Sequence, residues 1–158
     1  MVESGIAAPA ESLTHLLSLD HRRLDAIFAA AKQSLHAGDI ARGFARFSEF
    51  RDGLERHIAA EEEVLFPVLE ALVGGSGGGP AHVMRLEHSE IRRLMTEIAA
   101  ELQRGGGDGH TTPLGALTAR IYAHNGKEER ILYPAMDQAA RDADALDALL
   151  LRFRALAF

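Results

Sequence analysis

At 158 residues the chain is long enough to bury a core without staples, and one domain (1–158) is the expectation. It has no cysteine, which removes disulfides and thiolate sites, so any metal must be held by nitrogen and oxygen, a donor set suited to iron, manganese or zinc. A net charge of −6 with no clustered basic run argues against nucleic acid or a membrane as partner. Met1-Val2-Glu3-Ser4-Gly5 does not open a signal peptide and no apolar run suits a membrane span, so a cytoplasmic protein is expected.

Residues 1 to 10 read as a frayed tail. From Glu11 the pattern is helical: Leu17, His21, Leu24, Phe28, Ala31 and Leu35 alternate steps of four and three, which lays them along one face. His21 stands inside that apolar stripe. Gly38-Asp39 reads as a helix-ending glycine followed by a fresh N-cap. A second helix carries Phe47, Phe50, Leu54, His57, Glu61, Leu65 and Val68 on one stripe, and Pro67 is expected to bend or end it. The run Gly74-Gly75-Ser76-Gly77-Gly78-Gly79-Pro80 is a flexible linker by composition. Met84, His88, Ile91, Met95, Ile98 and Leu102 form the stripe of a third helix, which Gly105 to Gly109 stop. Thr112-Pro113 is predicted to cap a fourth, with Leu117, Ile121, His124, Glu128, Ile131 and Ala135 inward. A short amphipathic helix at about 143–156 is expected to form a lid on one end.

The chain repeats itself. His21 and His88, His57 and His124, Glu61 and Glu128, His15 and His82, and Pro67 and Pro134 all stand 67 positions apart. The fold expected is therefore all-α: an antiparallel up-down four-helix bundle of two αα-hairpins, repeat one at about 11–73 and repeat two at about 80–142, with the C-terminal helix added.

In each half a His and a Glu lie four positions apart on the apolar stripe, which in a helix of about 3.6 residues per turn aims both at the same place. Four imidazoles and two carboxylates in an apolar core cost several kcal/mol per charge unless something binds them. A metal does so, and the two-fold repeat points to two: His21 and His57 on one, His88 and His124 on the other, Glu61 and Glu128 bridging.

The order His, His-x-x-x-Glu, His, His-x-x-x-Glu, with an aromatic-Pro pair after each Glu, resembles the hemerythrin-like (HHE cation-binding) family of four-helix diiron proteins over roughly Leu13 to Met136. The resemblance implies two iron ions with an oxo or hydroxo bridge, ligated by His21, His57, Glu61, His88, His124 and Glu128; zinc or manganese are possible substitutes. It implies a small ligand such as O2, peroxide or NO. One departure stands out. Oxygen-carrying members have a further histidine one turn before the third-helix ligand, where this chain has Met84, with Leu17 at the repeat position. That leaves O2 binding or sensing, peroxide or NO chemistry, and iron holding or donation all open. Nothing in the sequence sets the oligomeric state.

The remaining polar residues have blander readings. Glu62 and Glu129, one position off the stripe, are expected as solvated or salt-bridged helix charges, and Asp25 as a surface or supporting group. His15 and His82 lie about 120° from the ligand direction and read as caps or end contacts. His36 and His110 read as solvated loop residues. Phe66 and Tyr133 are expected in the core; the alternatives that could reach the site are the Tyr133 hydroxyl and, if its helix begins irregularly, one of His15 and His82.

Overall fold

The computed structural model describes residues 11–73, 78–106 and 111–158, and every regular element in them is helical. In order these are α1 (Leu13–His36), α2 (Ile40–Ala60), a π-helical turn π1 (Glu61–Leu65), α3 (Phe66–Val73), α4 (Pro80–Gln103), α5 (Thr111–Lys127), a second π turn π2 (Glu128–Leu132), α6 (Tyr133–Asp142) and α7 (Leu146–Ala157). The N-terminal tail, linker residues 74–77, Gly107 to Gly109 and His110 lie outside the described residues. None of the described helices is long and apolar enough to cross a membrane.

Local chemistry sets most of the boundaries. The Ser12 hydroxyl accepts from the His15 amide at 3.0 Å and starts α1. Gly38, at φ 78°, makes the left-handed turn that closes α1, and the Asp39 carboxylate accepts from the Arg42 amide at 3.1 Å to open α2. Asp137 of α6 adds a tertiary cap. Its carboxylate accepts from the Leu13 amide at 2.6 Å and from the Thr14 amide and hydroxyl at 3.1 and 2.6 Å, placing negative charge at the positive end of the α1 dipole. α5 already runs at Thr111, so Thr112 sits inside its first turn and does not cap it; Pro113 still falls where no amide donor is needed.

Neither Pro67 nor Pro134 ends its helix. A proline offers no amide and crowds the carbonyl one turn back. Here the preceding turn widens instead, with the Phe66 amide donating to the Glu61 carbonyl and the Tyr133 amide to the Glu128 carbonyl, five residues back in both cases. The wide turn also rotates the helix face. After Glu128 the buried residues are Leu132, Tyr133 and Met136, whereas Ile131 and Ala135, predicted to face inward, are exposed.

α1 packs on α2, α4 on α5 and α2 on α4, while α6 lies against α1. Their apolar faces form two clusters. One holds Leu24, Phe28, Phe47, Phe50, Leu54, Ile58, Ile91, Ile98, Leu117 and Ile121, with the Phe28 and Phe50 rings stacked at 4.4 Å. The other holds Leu13, Leu17, Val64, Leu65, Phe66, Met84, Leu132, Tyr133, Met136 and Phe153. Each such side chain contributes about 1.5–3 kcal/mol on burial. Between the clusters runs a polar layer: His21 falls between Leu17 and Leu24, and His88 between Met84 and Ile91. α7 packs against α2 and π1 as well as α1 and α6, so it lies alongside this layer and not only over an end.

Candidate metal centre

His21 from α1, His57 from the last turn of α2, His88 from α4 and His124 from α5 meet Glu61 and Glu128, the first residues of the two π turns, and all six are buried. His57 Nε2 lies 3.6 Å from Glu61 Oε1 and His124 Nε2 lies 3.0 Å from Glu128 Oε1, as the one-turn spacing predicts. Each carboxylate then reaches across. Glu61 Oε2 is 3.4 Å from His88 Nε2, and Glu128 Oε2 is 3.4 Å from His21 Nε2. The layer thus has two halves: His21 and His57 with Glu61 Oε1 and Glu128 Oε2, and His88 and His124 with Glu61 Oε2 and Glu128 Oε1. In the second half the two Nε2 atoms are 3.0 Å apart, and one donor atom from each of Glu61, His88, His124 and Glu128 lies within 4.8 Å of the others.

Every imidazole is oriented from behind by a carboxylate. His21 Nδ1 is 2.7 Å from Glu129, His57 Nδ1 2.8 Å from Asp20, His88 Nδ1 2.9 Å from Glu62 and His124 Nδ1 2.8 Å from Glu87. A carboxylate only accepts, so each Nδ1–H donates and each Nε2 is turned toward the layer. The four supports obey the same repeat, Asp20 with Glu87 and Glu62 with Glu129. Each is the sequence neighbour of one candidate ligand and serves a ligand on another helix. Glu62 and Glu129 are thus paired charges, as one of the two expected readings has it, and they also orient candidate-ligand imidazoles. Asp20 and Glu87 escaped the sequence reading, although an acid precedes a stripe histidine in both repeats.

Tyr133 brings its hydroxyl into the layer. It is fully buried, donates to Glu61 Oε1 at 2.5 Å and lies 3.0 Å from Glu128 Oε2 and 3.3 Å from His21 Nε2. At the repeat position Phe66 stacks on His88, with centroids 5.5 Å apart and planes within 13°. Phe153 of α7 packs on His57 with the two rings nearly perpendicular and their centroids 5.7 Å apart. On the other side of the layer Leu54, Ile58, Ile91, Ile121 and Asn125 help line a void of about 10 Å³.

The electrostatics match a cation site. Burial pulls the His57 imidazolium down, but the Glu61 charge and the Asp20 hydrogen bond outweigh it and push the group up to about 10. His88 is pushed up to about 11, burial being outweighed by Glu128, Glu61 and Glu62. Burial and the Glu128 charge push Glu61 up, yet His57 and His88 hold it below the usual carboxylate range; His124, His21 and His88 hold Glu128 well below it against its own burial. Tyr133 is driven well above its ordinary value by burial and by the Glu128 and Glu61 charges. His57 Nε2, Glu61 Oε2 and Glu128 Oε1 nevertheless have no hydrogen-bond partner. Buried polar atoms without hydrogen bonds, in an all nitrogen and oxygen set with oriented imidazoles, fit divalent cations.

The other histidines among the described residues stay away. His15, His82 and His36 are exposed, as the 120° displacement of the first two predicts, and Asp25 is exposed too.

Residues 12–136 match the hemerythrin HHE cation binding domain. Among related proteins, the iron-sulfur cluster repair protein YtfE of Cronobacter sakazakii is 32% identical over 135 residues, 79% of this chain and 59% of the relative. The protein of the same name from Enterobacter sp. (strain 638) is 29% identical over 130 residues, 77% of this chain and 57% of the relative. That from Salmonella schwarzengrund is 29% identical over 106 residues, 65% of this chain and 46% of the relative. The chain thus spans about half the length of these relatives. No solved structure matches. The family match covers the whole polar layer and both apolar clusters up to Met136, and the chain belongs to the hemerythrin HHE cation binding domain family.

Proposed function

We propose that this chain is one cytoplasmic domain, an antiparallel up-down four-helix bundle of two repeated hairpins, that holds a non-haem pair of iron ions and binds a small ligand such as O2, peroxide or NO. His21, His57, Glu61, His88, His124 and Glu128 would hold the metals, with an oxo or hydroxo bridge between them. The observation that carries this reading is the gathering of four imidazoles and two carboxylates in one buried layer, where His57 Nε2, Glu61 Oε2 and Glu128 Oε1 make no hydrogen bond. Leaving such groups unpaired costs about 1–3 kcal/mol each, more when charged, and a cation removes that cost.

Bound there, iron supplies one-electron chemistry and affinity for small oxygen- or nitrogen-containing ligands. The chain's own residues do the rest. Glu129, Asp20, Glu62 and Glu87 fix the imidazoles, Tyr133 donates to Glu61 with Glu128 beside its hydroxyl, and Leu54, Ile58, Ile91 and Ile121 narrow the space beside the layer. The void of about 10 Å³ beside Asn125 suits an occupant no larger than a water molecule, so a diatomic ligand enters with a shift of these side chains. Anaerobic loading with Fe(II) followed by air or NO tests this. Two irons per chain and a ligand-dependent absorption change are expected; a chain that takes up no iron sinks the reading.

A second reading is iron holding or donation, supported by the printed name of the relatives, iron-sulfur cluster repair protein. Rapid transfer of iron from the loaded chain to a mild chelator, with no ligand-dependent spectrum, favours it. Turnover of peroxide or NO faster than by free iron favours an enzyme instead.

A further inference from the structure

We propose that Tyr133 makes the two cation positions fill in order, the His88/His124 position first and the His21/His57 position second. The inference rests on the reading of the layer as a two-cation centre. In the His21/His57 half, Glu61 Oε1, Glu128 Oε2 and His21 Nε2 all converge on one phenol oxygen, at 2.5, 3.0 and 3.3 Å. A cation entering that half competes with the hydroxyl for the same carboxylate oxygens. The hydroxyl cannot swing away at low cost, because its ring is fully buried in the cluster that includes Leu17, Met84 and Met136.

The opposite half has no such competitor. Phe66 stands where the repeat puts Tyr133, and its ring stacks on His88 without a polar atom. Two of the three partnerless buried atoms, Glu61 Oε2 and Glu128 Oε1, face this half. Its donor atoms are already gathered within 4.8 Å, so a first cation gives up no Tyr133 hydrogen bond there. A hydrogen bond to a charged group is worth about tenfold or more in an equilibrium, which sets the expected separation of the two positions at about tenfold or above. Tyr133 acts here as a positioning residue, through the carboxylates it holds.

The test is titration of the metal-free full chain with Zn(II), a redox-silent probe, against a competing chelator, read by calorimetry. Two steps separated by about tenfold or more are expected, with His21→Ala removing the weaker. Tyr133→Phe keeps the first step and tightens the second until the two converge. In the exchange variant carrying both Tyr133→Phe and Phe66→Tyr the order inverts, so that His21→Ala then removes the tighter step. Circular dichroism on each variant guards against misfolding. Two equal steps in the unaltered chain, or a separation that Tyr133→Phe leaves unchanged, overturn the inference and leave the two-cation centre standing. No uptake of Zn(II) or Fe(II) at all overturns the centre and the inference with it.

Discussion

The His21/His57 half and the His88/His124 half of the polar layer share a plan and differ in detail. Both present two imidazoles oriented from behind by acids, and both draw one oxygen from each of Glu61 and Glu128. They differ in what surrounds that plan. One half has the Tyr133 hydroxyl where the other has the Phe66 ring. One outer carboxylate, Glu62, is gripped by Arg92 through two hydrogen bonds at 2.9 and 3.1 Å, whereas the repeat counterpart of Arg92 is the acidic Asp25. The repeat gives the layer two halves of one plan, and the unmatched neighbours make those halves unequal.

Removing what the halves share produces the largest effect. Glu128→Ala takes an oxygen from both, so affinity at both positions falls by more than the about ten- to hundredfold typical of losing a supporting residue. The metal-free variant also loses the charge that faces His124, His21 and His88, and stability falls by about 3 kcal/mol. Iron content after anaerobic loading, with a urea midpoint for the metal-free form, checks both. Retention of two irons per chain would remove Glu128 from the ligand set.

The second effect is one of pH and treats the halves alike. His57, raised from 6.5 to about 10, and His88, raised from 6.5 to about 11, stabilise the metal-free fold when protonated. That stability is complete below about pH 6.5 and is lost as pH rises through the folded values, so the metal-free chain weakens progressively in alkali. A bound cation replaces those protons, so the loaded chain resists the same rise. Thermal midpoints from pH 6 to 10 with and without chelator are the measurement; parallel curves for the two forms would contradict it.

Much of this was legible from the chain, for physical reasons that individual residues make plain. His21, His57, His88 and His124 stand on apolar stripes of helical period, and a stripe of that kind has only one place to go. Ile131 and Ala135 face outward because the stripe's period does not run past Glu128, where the π turn admits one extra residue and turns Leu132 and Tyr133 inward. That choice belongs to the local backbone, and only Pro134 hinted at it. Glu62 and Glu129 sit about 100° from the neighbouring candidate ligands and so read as solvated or salt-bridged charges, yet a long side chain at that angle meets an imidazole on another helix. Asp20 and Glu87 could have been found, since an acid before the stripe histidine recurs in both repeats. The place of Phe153 against His57 could not, because no periodicity within α7 states which helix it lies on.

Third in size are the supports taken one half at a time. Asp20→Ala frees the ring of His57 and Glu87→Ala that of His124, each weakening its own cation position by about ten- to hundredfold and the other position much less. Asp20 is the more deeply buried and is also held by Arg23 at 2.7 Å, whereas Glu87 is paired with Lys127 at the surface edge. Loss of Asp20 therefore costs more fold stability than loss of Glu87. Stepwise Zn(II) titration of each variant assigns a step to each half; equal weakening of both steps in both variants would show that the supports do not act locally.

The smallest effect comes from supplying the clamp that one half lacks. Arg92 stands four residues after His88 and holds Glu62, with Glu55 on its other edge at 2.9 and 3.0 Å. Asp25 stands four residues after His21, and partial burial together with the Glu129 charge raises its carboxyl above the ordinary value, against the lowering effect of His21. Glu129 therefore faces a like charge where Glu62 faces a guanidinium. Asp25→Arg removes that repulsion and offers a fork at the geometry Arg92 already uses. The site is exposed, so the gain is limited to about 0.5–1 kcal/mol, a rise of about 2 °C in the thermal midpoint at low ionic strength that fades as salt screens the pair. Because Glu129 orients His21, the weaker Zn(II) step should tighten by less than about threefold while the stronger step stays where it was. A midpoint that falls, or a gain that salt leaves untouched, would show that the Asp25 charge serves the fold in another way and that the missing clamp is not what separates the halves.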